Sequence, residues 1–286
     1  MEEGRPSDAR REDEGTQEIR PEEGAEGTPV HEAVVNSRGL SWPDCRNTRD
    51  LGGLPARSGL TRKGVLVRSD NVAALTSAGR QAMVDYGITT VIDLRTEAEV
   101  NGAPGPPFST FQSTSPVPTT NEGDGAALIR LHLPLIDDAT APVLNASPAM
   151  QDRYLLMVDR RQAAIGAIFE AIASAEGPVL FHCFAGKDRT GIVAAIMLSV
   201  AGVDPEAIGE DYAETDVQLA SRYEEWLATA APDRVELMRD ELRCPPEWML
   251  NTMDHLKRKW GGVEGYLEAA GLDSSAISRL QSKLST

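Results

Sequence analysis

From about Leu40 onward the apolar positions follow two alternating rhythms. Short, dense runs read as buried strands: Val65–Arg68, Thr90–Leu94, Leu131–Leu135 and Val179–His182. Pro134 favours the end of its strand or a sheet edge. Between them, apolar residues recur with helical period. Thr76 stands where an N-cap is expected, before a helix reaching Tyr86, with Ala78, Ala82, Met83 and Tyr86 on one side and Gly87 beyond it. Residues 149–174 read as helix with a break near Asp159, and Thr190–Ala201 reads as an apolar helix ended by Gly202. From Asp204 to Thr286 the period is helical throughout, with stops at Pro232, Pro245-Pro246, Gly261-Gly262 and Gly271. Strands alternating with helices imply an α/β fold: a central, mainly parallel sheet flanked by helices, with a helical C-terminal part. Residues 102–125, rich in Pro, Gly, Ser and Thr, read as a long loop of the kind that is usually functional or mobile.

Residues 1–35 break both rhythms. They hold eleven acids and four arginines with almost no large apolar residue. Such a segment cannot offset its ordering entropy by burial, so it reads as a disordered acidic tail ahead of one domain over 36–286. A solvated extension is preferred there over an interaction arm. The net charge of −16 argues against a nucleic-acid partner and against stable association with anionic membranes. No apolar run approaches the roughly 20 residues of a membrane helix. The charged segment Met1–Arg11 lacks a signal core, so a cytoplasmic location is expected. Three cysteines (Cys45, Cys183, Cys244) form no even framework and fit a reducing compartment. A chain this long needs no structural metal to fold.

The segment with chemistry in it is Phe181-His182-Cys183-Phe184-Ala185-Gly186-Lys187-Asp188-Arg189-Thr190-Gly191. A buried strand ends at a cysteine and a helix follows within a few residues. Backbone N–H groups in such a turn converge on an anion, and the helix N-terminus adds positive potential. Gly186 lets the backbone come close to a ligand. Arg189 offers a planar fork matched to two phosphate oxygens. The same environment favours Cys183 as a thiolate, the nucleophilic form. One loop thus supplies a nucleophile and a cradle for a tetrahedral dianion, which is the equipment of covalent phosphoryl transfer. A Walker loop is excluded, because Asp188 follows Lys187 where Ser or Thr is required. A sulfur-transferase loop would not need the Arg-Thr-Gly ending, and an inert buried thiol would not need its neighbours.

At about 5% usage per residue type, the fixed letters of His-Cys-x-x-Gly-Lys-x-Arg-Thr-Gly would coincide by chance about once in a billion positions. The string resembles the signature of the cysteine-based protein tyrosine phosphatases. Arg46-Asn47-Thr48-Arg49-Asp50-Leu51-Gly52-Gly53, Val91-Ile92-Asp93-Leu94-Arg95 and the end from Trp260-Gly261-Gly262-Val263 to Ala270-Gly271-Leu272 are similar to the bacterial group that includes the mycobacterial and Listeria secreted enzymes. The resemblance implies a tyrosine-phosphatase-like fold and a phosphomonoester hydrolase that needs no metal and no cofactor. Phosphotyrosine protein is the first substrate class, with broader, phosphoinositide or small-molecule phosphate esters as alternatives. A catalytically silent phosphate-binding module is the reading from another class.

The resemblance also implies roles. Cys183 is the nucleophile, and Arg189 with the amides from Phe184, Ala185, Gly186 and Lys187 onward holds the phosphoryl oxygens. Thr190 either hydrogen-bonds the thiolate or caps the helix. His182 lies on the opposite side of its strand and reads as a buried group ordering the loop. Asp188 is the first choice of general acid and Asp93, beside Arg95, the second. Arg49, Arg68 and Arg95 are expected to add positive potential near the pocket or to form surface ion pairs. Lys187 is expected at the rim, as charge for broad or phosphoinositide substrates, or else in solvent. Trp42-Pro43-Asp44 spells the acid-loop motif of eukaryotic relatives but stands at the start of the domain, so it reads as a turn with a packing tryptophan. The 102–125 loop and the helices around Tyr212–Trp226 are expected over the pocket.

Overall fold

The computed structural model describes residues 38–102 and 128–285. The tail 1–35 and nearly all of the 102–125 loop lie outside the described residues. Among the described residues there are seven strands: β1 (Arg49–Asp50), β2 (Pro55–Ala56), β3 (Gly59–Leu60), β4 (Leu66–Ser69), β5 (Thr90–Asp93), β6 (Ile129–His132) and β7 (Val179–His182). The helices are α1 (Ser77–Asp85), α2 (Glu97–Val100), α3 (Ala141–Asn145), α4 (Met150–Arg160), α5 (Gln162–Ser174), α6 (Asp188–Val200), α7 (Pro205–Thr229), α8 (Val235–Leu242), α9 (Pro246–Trp260), α10 (Val263–Ala269) and α11 (Ser274–Leu284).

Five strands make the main sheet in the order β1-β4-β7-β5-β6, and β2 with β3 forms a separate ribbon. Only β1 runs antiparallel to its neighbour; β4, β7, β5 and β6 are parallel. Strand β7 is buried at every position because it is central and covered on both faces. In β6, at the edge, no residue is fully buried, and Pro134 falls just past its end. The helix after β7 is apolar on all sides, as an internal helix must be, and Ile192, Val193, Ala194, Ile196, Met197 and Leu198 are fully buried.

The N-cap at Thr76 is present: its hydroxyl accepts from Gly79 N at 3.2 Å, and Gly87 follows the helix at φ +92°. The break in 149–174 falls at Arg161, between α4 and α5. One start differs. Helix α6 begins at Asp188, not Thr190, so Asp188 and Arg189 already belong to its first turn. Trp42 is buried against Tyr86 in the small cluster that also holds Cys45, while the Pro43-Asp44 turn is exposed. Among the described residues no helix is long and apolar enough to cross a membrane.

Parallel strands deliver their C-terminal ends to one side of the sheet. β4, β7 and β5 therefore place Ser69, His182 and Asp93 abreast, in register. The chemistry-bearing loop leaves from the middle of the three, where a crevice outside the strand ends is expected.

Candidate active site

Residues 183–187 join β7 to α6. The loop's carbonyls are all directed outward and all occupied. The His182 ring bonds Cys183 O through Nδ1 at 3.0 Å, Asn71 N donates to Phe184 O at 3.0 Å, and Asn47 Nδ2 donates to Ala185 O at 3.0 Å. Arg68 Nη2 donates to Gly186 O at 2.7 Å, and Gly191 N to Lys187 O at 2.8 Å. A peptide unit that aims its carbonyl outward turns its N–H inward. Among the described residues the amides of 184–189 find no acceptor, so a row of donors faces the space beside Cys183 at the positive end of α6.

Gly186 is the hinge of this arrangement. Its φ is +68°, and a Cβ there would stand 2.6 Å from Ser69 O and 2.7 Å from Asp70 N. Only glycine fits where the loop crosses the end of β4.

The struts behind the loop are charged and buried. Asp211, on α7, takes Arg38 at 2.8 Å, Arg49 at 3.2 Å and Arg68 at 2.6 Å, and Glu214 takes Arg38 at 2.7 Å. Burial, then the nearby Arg68 charge, pushes Arg49 down to about 10. Although burial works against it, the Asp211 carboxyl is held far below the usual carboxylate range by its three arginines. Arg49 also donates to Asn47 Oδ1 at 2.5 Å, which orients the amide that holds Ala185. Arg49 and Arg68 are therefore neither surface ion pairs nor pocket residues; they brace the loop from behind.

A cavity of about 630 Å³ opens over Cys183, lined by Phe184, Ala185, Lys187, Asp188 and Arg189 among others. The loop residues expected at the site are thus brought together. Asp93 and Arg95 are not: neither lines the cavity. Arg95 folds onto Asp93, Nε to Oδ1 at 2.9 Å and Nη2 to Oδ2 at 2.6 Å. Burial pushes the Asp93 carboxyl up, but His182 and Arg95 outweigh it and hold it at about 2. His182, fully enclosed, is pushed below its ordinary value by burial against the pull of Asp93. Its ring turns to the Cys183 carbonyl on one side and lies 3.8 Å from Asp93 Oδ2 on the other.

Arg189 is half-buried and bonds Glu99 through both terminal nitrogens, with Nη2 to Oε1 at 2.7 Å. Glu99 also accepts from Thr96 N at 2.8 Å while Thr96 Oγ1 accepts from Glu99 N. This capping box fixes the carboxylate and, through it, the guanidinium. Asp188 receives Tyr154 OH and, at 3.2 Å, Lys187 Nζ, both on Oδ1. Among the described residues its Oδ2 has no hydrogen-bond partner. Tyr154 OH lies 2.6 Å from Tyr212 OH in turn, so Tyr212 stands behind the site rather than over it. Trp226 lines the cavity and stacks on Phe184 with ring centroids 6.2 Å apart.

Two further expectations need correcting. Lys187 is neither at the rim nor in solvent. It is buried, donates to Glu241 O at 2.6 Å and lies 5.6 Å from the Trp248 ring centroid. Burial opposes its charge, but Asp188 outweighs this and keeps it a cation. Thr190 caps nothing, because Lys187 holds the N-cap position; its Oγ1 is buried with no hydrogen-bond partner among the described residues. Sequence reasoning missed Glu99, Tyr154, Glu241 and Asp211. Thr96-Glu97-Ala98-Glu99 is a readable capping box; the other three carry no local signal.

A family model described as "Tyrosine phosphatase family" matches residues 40–286. A triple specificity protein phosphatase of Mycobacterium tuberculosis, PtpB, is 29% identical over 78% of this chain and 91% of its own. A protein of Cupriavidus necator assigned as a tyrosine-protein phosphatase is 29% identical over 85% and 87%. A tyrosine-protein phosphatase of Nostoc commune is 27% identical over 76% and 73%. Among solved structures, TpbA of P. aeruginosa aligns with 67% of this chain and 88% of its own at 18% identity and a TM-score of 0.32. With the family's pattern running over residues 40–286, and a cysteine loop ringed by amides unpaired among the described residues at the centre of the sheet's C-terminal edge, the chain belongs to the tyrosine phosphatase family.

Proposed function

We propose that this tyrosine phosphatase works through a cysteinyl-phosphate on Cys183, with Asp188 as general acid and then base. The observation that carries the reading is the loop whose carbonyls are all bonded outward, leaving inward amides around a thiol. Cys183 Sγ attacks phosphorus in line with the ester bond. The S–P bond forms, the P–O bond breaks, and the leaving oxygen takes the proton carried on Asp188 Oδ2. The amides and Arg189 hold the three equatorial oxygens as negative charge shifts onto them. Water then attacks the cysteinyl-phosphate, Asp188 takes its proton, and inorganic phosphate leaves with the thiolate restored. The buried, unpartnered Thr190 Oγ1 in the first turn of α6 supports a bond to that thiolate as it departs.

Cavity lining and a free oxygen support Asp188 over Asp93 as the acid, since Asp93 lies off the cavity with both its oxygens on Arg95. Phosphotyrosine protein is the proposed substrate. The absence of a long apolar helix among the described residues is compatible with a cytoplasmic setting.

The test is hydrolysis of para-nitrophenyl phosphate and of a phosphotyrosine peptide with excess EDTA, wild type beside Cys183→Ser and Asp188→Asn. Turnover should vanish with the serine. The Asp188→Asn loss should be larger on the peptide, whose tyrosyl leaving group needs the proton more. Equal losses on both esters would remove Asp188 from the acid role.

A further inference from the structure

The cavity over Cys183 reaches well beyond the loop: it encloses about 630 Å³ and extends to Leu144 and Leu242. Beyond the loop its wall is largely apolar, built by Ile136, Leu144, Met150, Met157, Trp226 and Leu242. The charges on that wall are the informative part. Three cations line it, Arg153, Lys187 and Arg189, against four carboxylates, Glu99, Asp138, Asp188 and Glu241.

Each cation is already engaged. Arg189 is clamped by Glu99 and is needed for the first phosphate. Arg153 spends all three nitrogens inside the protein: Nη2 on Glu241 Oε1 at 2.7 Å, Nε on Ser147 O at 2.8 Å and Nη1 on Met150 Sδ at 3.3 Å. Lys187 is held by Glu241 O and Asp188. Glu241 Oε2 is buried and without a hydrogen-bond partner among the described residues, so a second phosphate on that wall would meet an acceptor where it needs a donor.

We infer that the site takes a phosphate monoester with an extended apolar body, aryl or alkyl, and rejects substrates bearing a second phosphate. The inference rests on the phosphomonoester reading above and narrows it away from multiply phosphorylated inositides. The apolar wall supplies the affinity for the body, and among the described residues the wall's cations already hold protein acceptors, which leaves the loop as the anion site.

Calorimetry on the wild-type protein tests this without turnover. Across n-alkylphosphonates from methyl to octyl, Kd should fall about two- to fourfold per added methylene while the chain runs along the wall. The α,ω-alkanediphosphonate of each length should bind at least tenfold more weakly than the monophosphonate. A Kd independent of chain length, or a diphosphonate that binds as well as its partner, would overturn the inference. So would a bisphosphorylated inositol turned over with a kcat/KM matching that of phosphotyrosine peptide. Failure of wild type to hydrolyse para-nitrophenyl phosphate would instead overturn the underlying reading, and the phosphonate series would still report what the cavity prefers.

Discussion

Replacing Gly186 with alanine tests the architecture of the loop with the addition of one methyl group. The new Cβ would stand 2.6 Å from Ser69 O, 2.7 Å from Asp70 N and 2.7 Å from Ser69 C. These are backbone atoms of β4 and its exit, so no flexible side chain can yield. The backbone at φ +68° adds about 1–2 kcal/mol for a residue with a Cβ. Relieving the collision moves the loop away from β4, which stretches the 2.7 Å bond from Arg68 to Gly186 O; a hydrogen bond from a charged donor is worth about 1.5–3 kcal/mol. The sum is a destabilisation of roughly 3–5 kcal/mol, or a Tm lower by about 6–20 °C for a domain of this size. The same displacement misaims the inward amides, and loss of one such donor typically costs about 10²–10³ in kcat. Calorimetric melting, kcat on para-nitrophenyl phosphate and Kd for inorganic phosphate would be read on the same preparation. A Gly186→Ala protein with unchanged Tm and a phosphate Kd within twofold of wild type would refute the reasoning, because the carbonyl-out loop would then not depend on this contact.

Asp211→Asn strips the shared carboxylate from three buried arginines and should destabilise the protein by about 3–5 kcal/mol; a melting point within ~2 °C of wild type would contradict the bracing role. Glu99→Gln loosens the guanidinium of Arg189, and kcat/KM on phosphotyrosine peptide should fall about 10- to 100-fold with Tm reduced far less; unaltered kinetics would remove Glu99 from positioning. Tyr154→Phe deletes the hydroxyl that orients Asp188, so kcat should drop more on the peptide than on para-nitrophenyl phosphate, and an equal drop would argue for packing alone. Stability should also fall in acid: Asp93 sits at about 2 folded against an ordinary 3.8, so its contribution, on the order of 2 kcal/mol, is complete above pH ~4 and lost as pH falls through about 2. Asp93→Asn should flatten that limb of a denaturation-versus-pH curve, and an unchanged limb would show that the Asp93–Arg95 clamp contributes nothing.

Much of this was readable before any coordinates, for reasons that differ between elements. Strand β7 and its loop were legible because a central strand is uniformly apolar and because its glycine, arginine and cysteine each answer a local demand. Thr76 and Gly87 marked α1 by capping chemistry that operates over a few residues. The start of α6 was misjudged because Asp188 and Arg189 are polar and look like loop, although their backbone has already turned helical.

The functions of Arg49, Arg68 and Lys187 were misassigned for a single reason. A basic residue near a phosphate loop can face the ligand or the protein, and composition does not say which. Here Asp211 lies far along the chain from both arginines it turns inward, and Glu241 O, on α8, does the same to Lys187. Tyr154 and Asp188 are 34 residues apart in the chain and meet only in the fold. Such pairings depend on tertiary contact and leave no periodic trace in the chain.

The account stands or falls on covalent chemistry at one sulfur. Wild-type protein mixed with phosphotyrosine peptide, quenched in acid within milliseconds and digested, should yield the peptide containing Cys183 heavier by one phosphoryl group, with the adduct forming and decaying at rates consistent with kcat and absent from Cys183→Ser. Turnover without that adduct would contradict the mechanism and require direct attack by water at this loop, and a phosphoryl group on another residue would contradict it by requiring another nucleophile.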